Sequence, residues 1–103
     1  MTERTAFVLH VRPDRIDEYV AAHHDVWPEM LDAIRGAGIR NYTIFRDGNR
    51  VFGYFEADDL EAAGRYLADR PVCTLWQDAM AELLEDRVPD AGPPALPEIF
   101  RLD

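Results

Sequence analysis

The sequence contains no lysine, so its positive charge comes from 11 arginines, which face 20 acidic side chains and leave a formal net charge of −9. A chain with this charge repels phosphate backbones and anionic lipid, and no cluster of arginines offsets the repulsion locally. We therefore expect neither nucleic acid nor a membrane surface as a partner.

Cysteine and long apolar runs are also scarce. Cys73 is the single cysteine, which excludes an intrachain disulfide, and with only three histidines the chain offers no zinc-ligand pattern, so we expect no metal. No basic N-terminal segment leads into an apolar signal stretch, and no apolar run approaches the ~20 residues of a bilayer span. These features favour a reducing cytoplasm.

The length of 103 residues suits one hydrophobic core, so we predict a single domain over residues 1–103. Apolar and β-branched runs predict strands at residues 5–11, 41–45, 50–56 and 98–102, the middle two joined by an Asp-Gly turn. Spacings of three and four predict a helix from Asp14 that is interrupted before Pro28, and a second pair at residues 60–68 and from Pro71. The apolar face of the predicted helix that begins at Pro71 includes Leu75, Trp76 and Met80.

Four of the seven prolines lie between Val88 and Pro97, which predicts an extended surface connection there. The order of strand, helix pair, two strands, helix pair and strand predicts an α+β, ferredoxin-like (split βαβ) antiparallel sheet with helices on one face. The other sheet face would remain uncovered although its residues are largely apolar. We therefore expect a homodimer that closes sheet against sheet, a dimeric α+β barrel.

Tyr19 and His23 are the first candidates for chemistry. They are four residues apart, so on a helix their side chains lie one above the other on the apolar stripe. Periodicity alone leaves open whether His23 is a hydrogen-bonded core histidine or a site residue. Its position near a helix C-terminus, where the helix dipole favours the imidazolium, supports a proton donor.

The remaining candidates have structural interpretations. His24 is expected at a rim or in solvent, and His10 is expected to be buried at a sheet or dimer surface. Cys73 could have a lowered thiolate pKa at a helix start, but without a resolving cysteine or a base it is expected to be a packing residue. Trp76 alone does not distinguish a core residue from a site residue.

Four segments together resemble the L-rhamnose mutarotase family over nearly the whole chain. They are AFVLHV at residues 6–11, YVAAHHDVWPEM at 19–30, GIRNYTIF at 38–45, and the helix with Val72, Cys73, Trp76 and Met80. The resemblance implies a cytoplasmic, cofactor-free homodimeric isomerase of ferredoxin-like α+β subunits that interconverts the α and β anomers of L-rhamnose. It implies a small-molecule sugar as the ligand.

The resemblance also implies roles for individual residues. His23 matches the family's proton donor, Tyr19 and Tyr42 match sugar-contacting tyrosines, and Trp76 matches a sugar-contacting tryptophan. Some members carry a second tryptophan directly after that one, where this chain has Gln77. Ring opening and closure of a pyranose are proton transfers, so general acid and base groups suffice and no cofactor is expected.

Two other classes of function remain open from the residues. Small dimeric ferredoxin-like domains also act as cofactor-free monooxygenases on polyphenols, and a cleft with His and Trp would suit an aromatic substrate. Others are ligand-binding modules that catalyse nothing. Anomer exchange, oxygen consumption and binding without turnover distinguish the three.

Overall fold

A three-stranded antiparallel sheet packed against two helix pairs forms the protein. The computed structural model describes residues 1–102. Its strands are β1 (Glu3–His10), β2 (Arg40–Asp47) and β3 (Arg50–Ala57), its α-helices are α1 (Ile16–His23), α2 (Pro28–Gly36), α3 (Leu60–Ala68) and α4 (Pro71–Ala81), and a 3₁₀ turn at Pro13–Arg15 precedes α1. The strand order is β1-β3-β2, with both pairs antiparallel. The predicted α+β architecture is confirmed.

The helix boundaries follow the local sequence signals. Pro28 and Pro71 are the first residues of α2 and α4, where a missing backbone N–H costs nothing. At α3, the Asp59 carboxylate caps the helix by accepting a hydrogen bond from the Ala62 amide at 3.0 Å. Over residues 1–102, no helix is long and apolar enough to cross a membrane.

The inner face of the sheet forms one wall of the core. Phe7, Val51 and Ala57 are buried there against the helices. Gly53 on the central strand has no side chain, and the Phe7 ring occupies the space that a Cβ at this position would need. The ring therefore lies across β3, with its centroid 6.2 Å from that of Tyr42 on β2.

The outer face of the sheet remains open to solvent. Phe45 is 67% exposed and Phe52 is 36% exposed, and these two residues are cross-strand partners. The Arg50 guanidinium lies over the Phe52 ring, 5.4 Å from its centroid. Val8, the partner of Phe52 on β1, is only partly buried. The face predicted to be apolar and uncovered is present in this chain.

The predicted strand at residues 98–102 is wrong, because this segment has no strand conformation. The preceding segment makes one hydrogen bond to β1, from the Leu96 amide to the Ala6 carbonyl at 2.8 Å. Three prolines at positions 93, 94 and 97 lack the N–H groups that a continuous ladder needs. Ile99, Phe100 and Leu102 beyond it are 95%, 78% and 85% exposed.

The proline-rich stretch is mostly exposed and without regular secondary structure, as predicted, but one of its residues packs in the core. Val88 is only 5% exposed and belongs to the hydrophobic core. We call residues 88–96 the strap, since they cross from the end of the α4 region back to β1. Leu75 differs in the opposite sense: it lies 60% exposed on α4 rather than in the core.

Candidate active site

An open cleft of about 790 Å³ lies between the helices, β2 and the strap. All five residues predicted from the sequence line it: Tyr19, His23, Tyr42, Trp76 and Gln77. The same five also line a small adjoining cavity of about 40 Å³. The fold thus brings together side chains from α1, β2 and α4 that are far apart in the sequence.

His23 occupies the last turn of α1, with its ring held by backbone and aromatic contacts. Its Nδ1 lies 2.9 Å from the Tyr19 carbonyl oxygen. Since a carbonyl only accepts hydrogen bonds, Nδ1 carries the proton, and Nε2 is the nitrogen available to a ligand. The imidazole centroid is 4.2 Å from the Tyr19 ring and 5.4 Å from the Trp76 ring, which it meets at 80°.

The charge state of His23 differs from the sequence-based expectation. Burial lowers its pKa, outweighing the hydrogen bond to the Tyr19 carbonyl, which raises the pKa, and the nearby His24 lowers the pKa further. The sequence analysis expected the helix end to favour the imidazolium, whereas burial, the largest cause of the pKa shift, favours the neutral form. A neutral imidazole with a free Nε2 lone pair prevails near neutral pH.

The two phenols in the cleft are held in their protonated form. Burial raises the pKa of Tyr19 to about 12. Burial also raises the pKa of Tyr42 far above its ordinary value; although 38% of this residue is exposed, its hydroxyl end is desolvated. Both groups can therefore donate and accept hydrogen bonds at neutral pH but do not act there as phenolate bases.

A β-bulge in β2 places Tyr42. The strand register shifts between Arg40 and Thr43, and Asn41 adopts a φ of 55°, a left-handed conformation that asparagine tolerates better than most residues. The Asn41 amide donates to the Glu56 carboxylate at 3.0 Å, which fixes the bulge. Tyr42 consequently faces inward and stacks on Phe55, with 4.9 Å between centroids. The sequence carried no clear signal of this bulge.

Trp76 belongs both to the core and to the cleft. It is 7% exposed, and its ring meets Trp27 edge to face at 5.1 Å. Trp76 also lines both cavities, so its position is compatible with a core residue and with a site residue, the two interpretations that the sequence left open. Gln77, the next residue on α4, is half-buried and presents an amide at the same wall.

The other candidates lie outside the centre of the cleft. His24 is exposed at its rim, as expected. His10 is exposed on the outer sheet face, so the expected burial does not occur within this chain. Cys73 is 1% exposed and burial raises the pKa of its thiol, which confirms a packing residue. No group of three His, Cys, Asp or Glu side chains suited to a metal ion occurs in the part of the chain that the structure describes.

Several lining residues were missed by the sequence analysis. Asp90, Gly92 and Pro93 of the strap line the cleft, and Pro93 also lines the small cavity. A proline-rich stretch carries no periodic pattern, so its packing could not be read from the sequence. Arg40 and Arg46 on β2 add positive charge to the lining, and they gave no sequence motif.

An α+β sheet with a desolvated, backbone-oriented histidine and two protonated phenols in an aromatic cleft has the features of a small-molecule enzyme that works by proton transfer. Comparison with known proteins identifies the family within this class of enzymes. The family model described as L-rhamnose mutarotase matches residues 4–102. The chain belongs to the L-rhamnose mutarotase family, and the resemblance read from the sequence is confirmed.

Individual members of this family match the chain over nearly their full lengths. The chain is 39% identical to an L-rhamnose mutarotase of Bacillus subtilis over 98% of this chain and 99% of that protein. It is 38% identical to an L-rhamnose mutarotase of Ligilactobacillus salivarius over the whole of both chains. The crystal structure of an L-rhamnose mutarotase from Formosa agariphila superimposes with a TM-score of 0.76 at 28% identity, over 98% of this chain and 99% of that chain.

Proposed function

We propose that this protein is a mutarotase that interconverts the α and β anomers of L-rhamnose or a related 6-deoxy sugar, with His23 as its catalytic residue. One observation carries the assignment. In a chain of the L-rhamnose mutarotase family, the cleft contains a histidine whose Nδ1 is bound to the Tyr19 carbonyl at 2.9 Å, so that Nε2 is free for proton exchange.

The neutral state of His23 sets the order of the proton transfers. Nε2 accepts the proton of the anomeric hydroxyl while the bond between C1 and the ring oxygen breaks and the C1 aldehyde forms. The ring oxygen takes up a proton from the imidazolium, which restores neutral His23. Rotation about C1–C2 exposes the other carbonyl face, and the same steps in reverse close the ring as the other anomer. Substrate and product have the same atoms and oxidation state, so the proton is returned and nothing is consumed.

The other residues of the cleft bind and orient the sugar in this proposal. The protonated phenols of Tyr19 and Tyr42 hydrogen-bond sugar hydroxyls, and the Gln77 amide does so at the edge of the site. Trp76 covers the apolar face of the sugar and its methyl group, as aromatic rings in sugar sites do. The desolvation that holds these groups neutral also strengthens their hydrogen bonds.

A homodimer completes the proposal. The outer sheet face exposes Phe45 and Phe52, and the C-terminal segment exposes Ile99, Phe100 and Leu102. Large exposed apolar side chains in this number on a small chain are typical of an interface between copies. A second copy packed on the outer face would bury these rings. We also place the protein in the cytoplasm, since its single cysteine, Cys73, cannot form the intrachain disulfides common in oxidising compartments.

Saturation-transfer NMR on L-rhamnose tests the function. Enzyme added to the equilibrated sugar should transfer saturation from one anomeric proton signal to the other, and L-mannose serves as the matched sugar with a hydroxymethyl group in place of the methyl. Oxygen consumption with a polyphenol would instead indicate the monooxygenase alternative. Binding of L-rhamnose without faster anomer exchange would indicate a ligand-binding module and contradict the proposal.

A further inference from the structure

The strap is attached to the rest of the molecule at its middle as well as at its ends. Near its start, Val88 is buried in the core, and at its end the Leu96 amide donates to the Ala6 carbonyl. Between them the strap turns tightly, closed by a hydrogen bond from the Gly92 amide to the Pro89 carbonyl at 2.9 Å. This turn is the part of the strap that lines the cleft.

Asp90 in the turn uses both carboxylate oxygens to hold it. Its Oδ2 accepts a hydrogen bond from the Thr74 hydroxyl on α4 at 2.7 Å, and its Oδ1 accepts one from the Arg87 guanidinium at 2.8 Å. Arg87 in turn is held by Asp78 on α4, with nitrogen–oxygen distances of 3.0 and 3.2 Å. These hydrogen bonds lower the pKa of Asp90, so its carboxylate is charged at neutral pH.

Two glycines allow this close approach. Gly64 lies within α3, where glycine destabilises a helix relative to alanine. A Cβ at position 64 would lie 3.1 Å from the Ala91 carbonyl oxygen, so the glycine makes room for the strap backbone. Gly92 has a φ of 122°, a conformation that other residues rarely adopt. The space at Gly64 in α3, the turn at Gly92 and the hydrogen bonds of Asp90 are therefore all compatible with the same position of the strap.

Pro93 follows this turn directly. It lines both the main cleft and the small cavity, together with His23, Trp76 and Gln77. We propose that Asp90 is a positioning residue, which through Thr74 and Arg87 holds Gly92 and Pro93 as a wall of the sugar site. This inference rests on the proposed function, since its measurement uses the same anomer exchange.

The proposal separates binding from chemistry. Asp90 bonds to Thr74 and Arg87 and not to His23, whose ring is held by Tyr19 and Trp76. Release of the strap should widen the cleft and weaken sugar binding while the proton-transferring group stays in place. The expected signature is a higher KM for L-rhamnose with kcat nearly unchanged, which a loss of folding stability alone would not produce.

Four variants test it by anomer exchange measured over a range of L-rhamnose concentrations. Thr74→Val removes the hydroxyl with little change of shape, and Asp90→Ala removes both hydrogen bonds. Each should raise KM by about three- to tenfold, the loss expected for one or two hydrogen bonds, with kcat within about twofold. Thr74→Ser keeps the hydroxyl and should restore the parent KM. Asp86→Ala removes an exposed carboxylate just before the strap and is the matched control.

The KM values of the Thr74 variants decide whether Asp90 positions the wall of the sugar site. A KM change below threefold in Thr74→Val, whatever its melting temperature, would show that the Asp90 contacts serve stability alone and would overturn the proposal. Equal KM changes in Thr74→Ser and Thr74→Val would overturn it as well. If Asp90→Ala does not fold, the two Thr74 variants decide. Absence of exchange in the parent chain would be recognised separately, as failure of the proposed function and of this inference with it.

Discussion

The two faces of the sheet carry aromatic side chains of similar kind in opposite environments. On the inner face, Phe7, Tyr42 and Phe55 pack on one another beside a cleft. On the outer face, Phe45 and Phe52 meet solvent, and ion pairs such as Arg50–Asp47 at 2.7 Å lie at the edge. Desolvation keeps the inner titratable groups neutral. The outer face carries exposed apolar area, and there the Tyr54 hydroxyl donates to the Glu56 carboxylate at 2.6 Å. The contrast supports the proposals that the inner face serves the chemistry and the outer face the subunit contact.

Neighbouring histidines on α1 show the same contrast on a smaller scale. His23 is half-buried and its ring contacts Tyr19 and Trp76, whereas His24 is exposed at the rim. One residue is a rotation of about 100° on a helix, which is enough to move a side chain from the cleft to solvent. Position on the helix therefore places one imidazole in the cleft and the other in solvent, although the two residues are of the same type.

The largest expected effect is the loss of exchange on removing the inner imidazole. His23→Ala should lower kcat for anomer exchange by about 10² to 10⁴, the contribution typical of a general acid or base. His24→Ala is the matched control and should keep most of the activity. Saturation-transfer NMR measures both, and circular dichroism checks that the fold is retained.

A different result would move the chemistry elsewhere. Exchange in His23→Ala within a factor of about three of the parent would show that His23 does not carry the proton, because a general catalyst is worth far more. An equal loss in His24→Ala would remove the distinction between the two sides of α1.

Some features of the two sheet faces could be predicted from the sequence, and others could not. The strands, the helix pairs and the break before Pro28 follow from periodicity and proline chemistry, and the comparisons confirm the fold and family. The position of Tyr42 depends on a bulge at Asn41, and the wall at Pro93 depends on contacts with α3 and α4. Such tertiary contacts leave no periodic pattern. The lowered pKa of His23 could not be predicted from the sequence, because it depends on how deeply the folded chain buries the ring.

The next effect concerns the outer face. Phe45→Asp combined with Phe52→Asp places two charges in the proposed subunit interface and should weaken dimerisation by at least about tenfold, because unpaired charges are costly to bury. Sedimentation velocity across a concentration series measures it. The matched control is Leu75→Asp, which charges an apolar residue of α4 that is 60% exposed. A compact monomer of the parent chain at micromolar concentration would contradict the proposed dimer.

A smaller effect is expected at the wall that the core and the cleft share. Trp76→Phe shortens an aromatic surface that lines both cavities, so KM for L-rhamnose should rise by about threefold or more as apolar contact area is lost. Trp27→Phe is the control, since Trp27 contacts Trp76 and is 38% exposed. A lower melting temperature of Trp76→Phe with unchanged exchange would show that this tryptophan serves the core alone.

The smallest expected change is in the pH dependence above neutrality. The pKa of His23 lies below its ordinary value because of burial, so the imidazole is already neutral at pH 7 and gains nothing from a further rise in pH. The pKa of Tyr19, about 12, keeps that phenol protonated throughout the range. If neutral His23 accepts the first proton, enzyme-catalysed exchange should change by less than about twofold between pH 7 and 9 and fall only as acid protonates Nε2, below the ordinary histidine pKa of about 6.5.

The free energy of unfolding should also decrease as the pH falls, in the same direction as the exchange rate. A histidine whose pKa is lower in the folded chain binds its proton more readily when unfolded, so its contribution to the free energy of unfolding is lost as pH falls through about 6.5. The loss should be smaller in His23→Gln, measured by chemical denaturation at pH 7.5 and 5.5. Exchange that instead declines steadily from pH 6.5 to 9, approaching tenfold per pH unit, would show that the protonated imidazole starts the reaction. His23 would then be the proton donor first and the acceptor second, because only the charged fraction of the residue would be active.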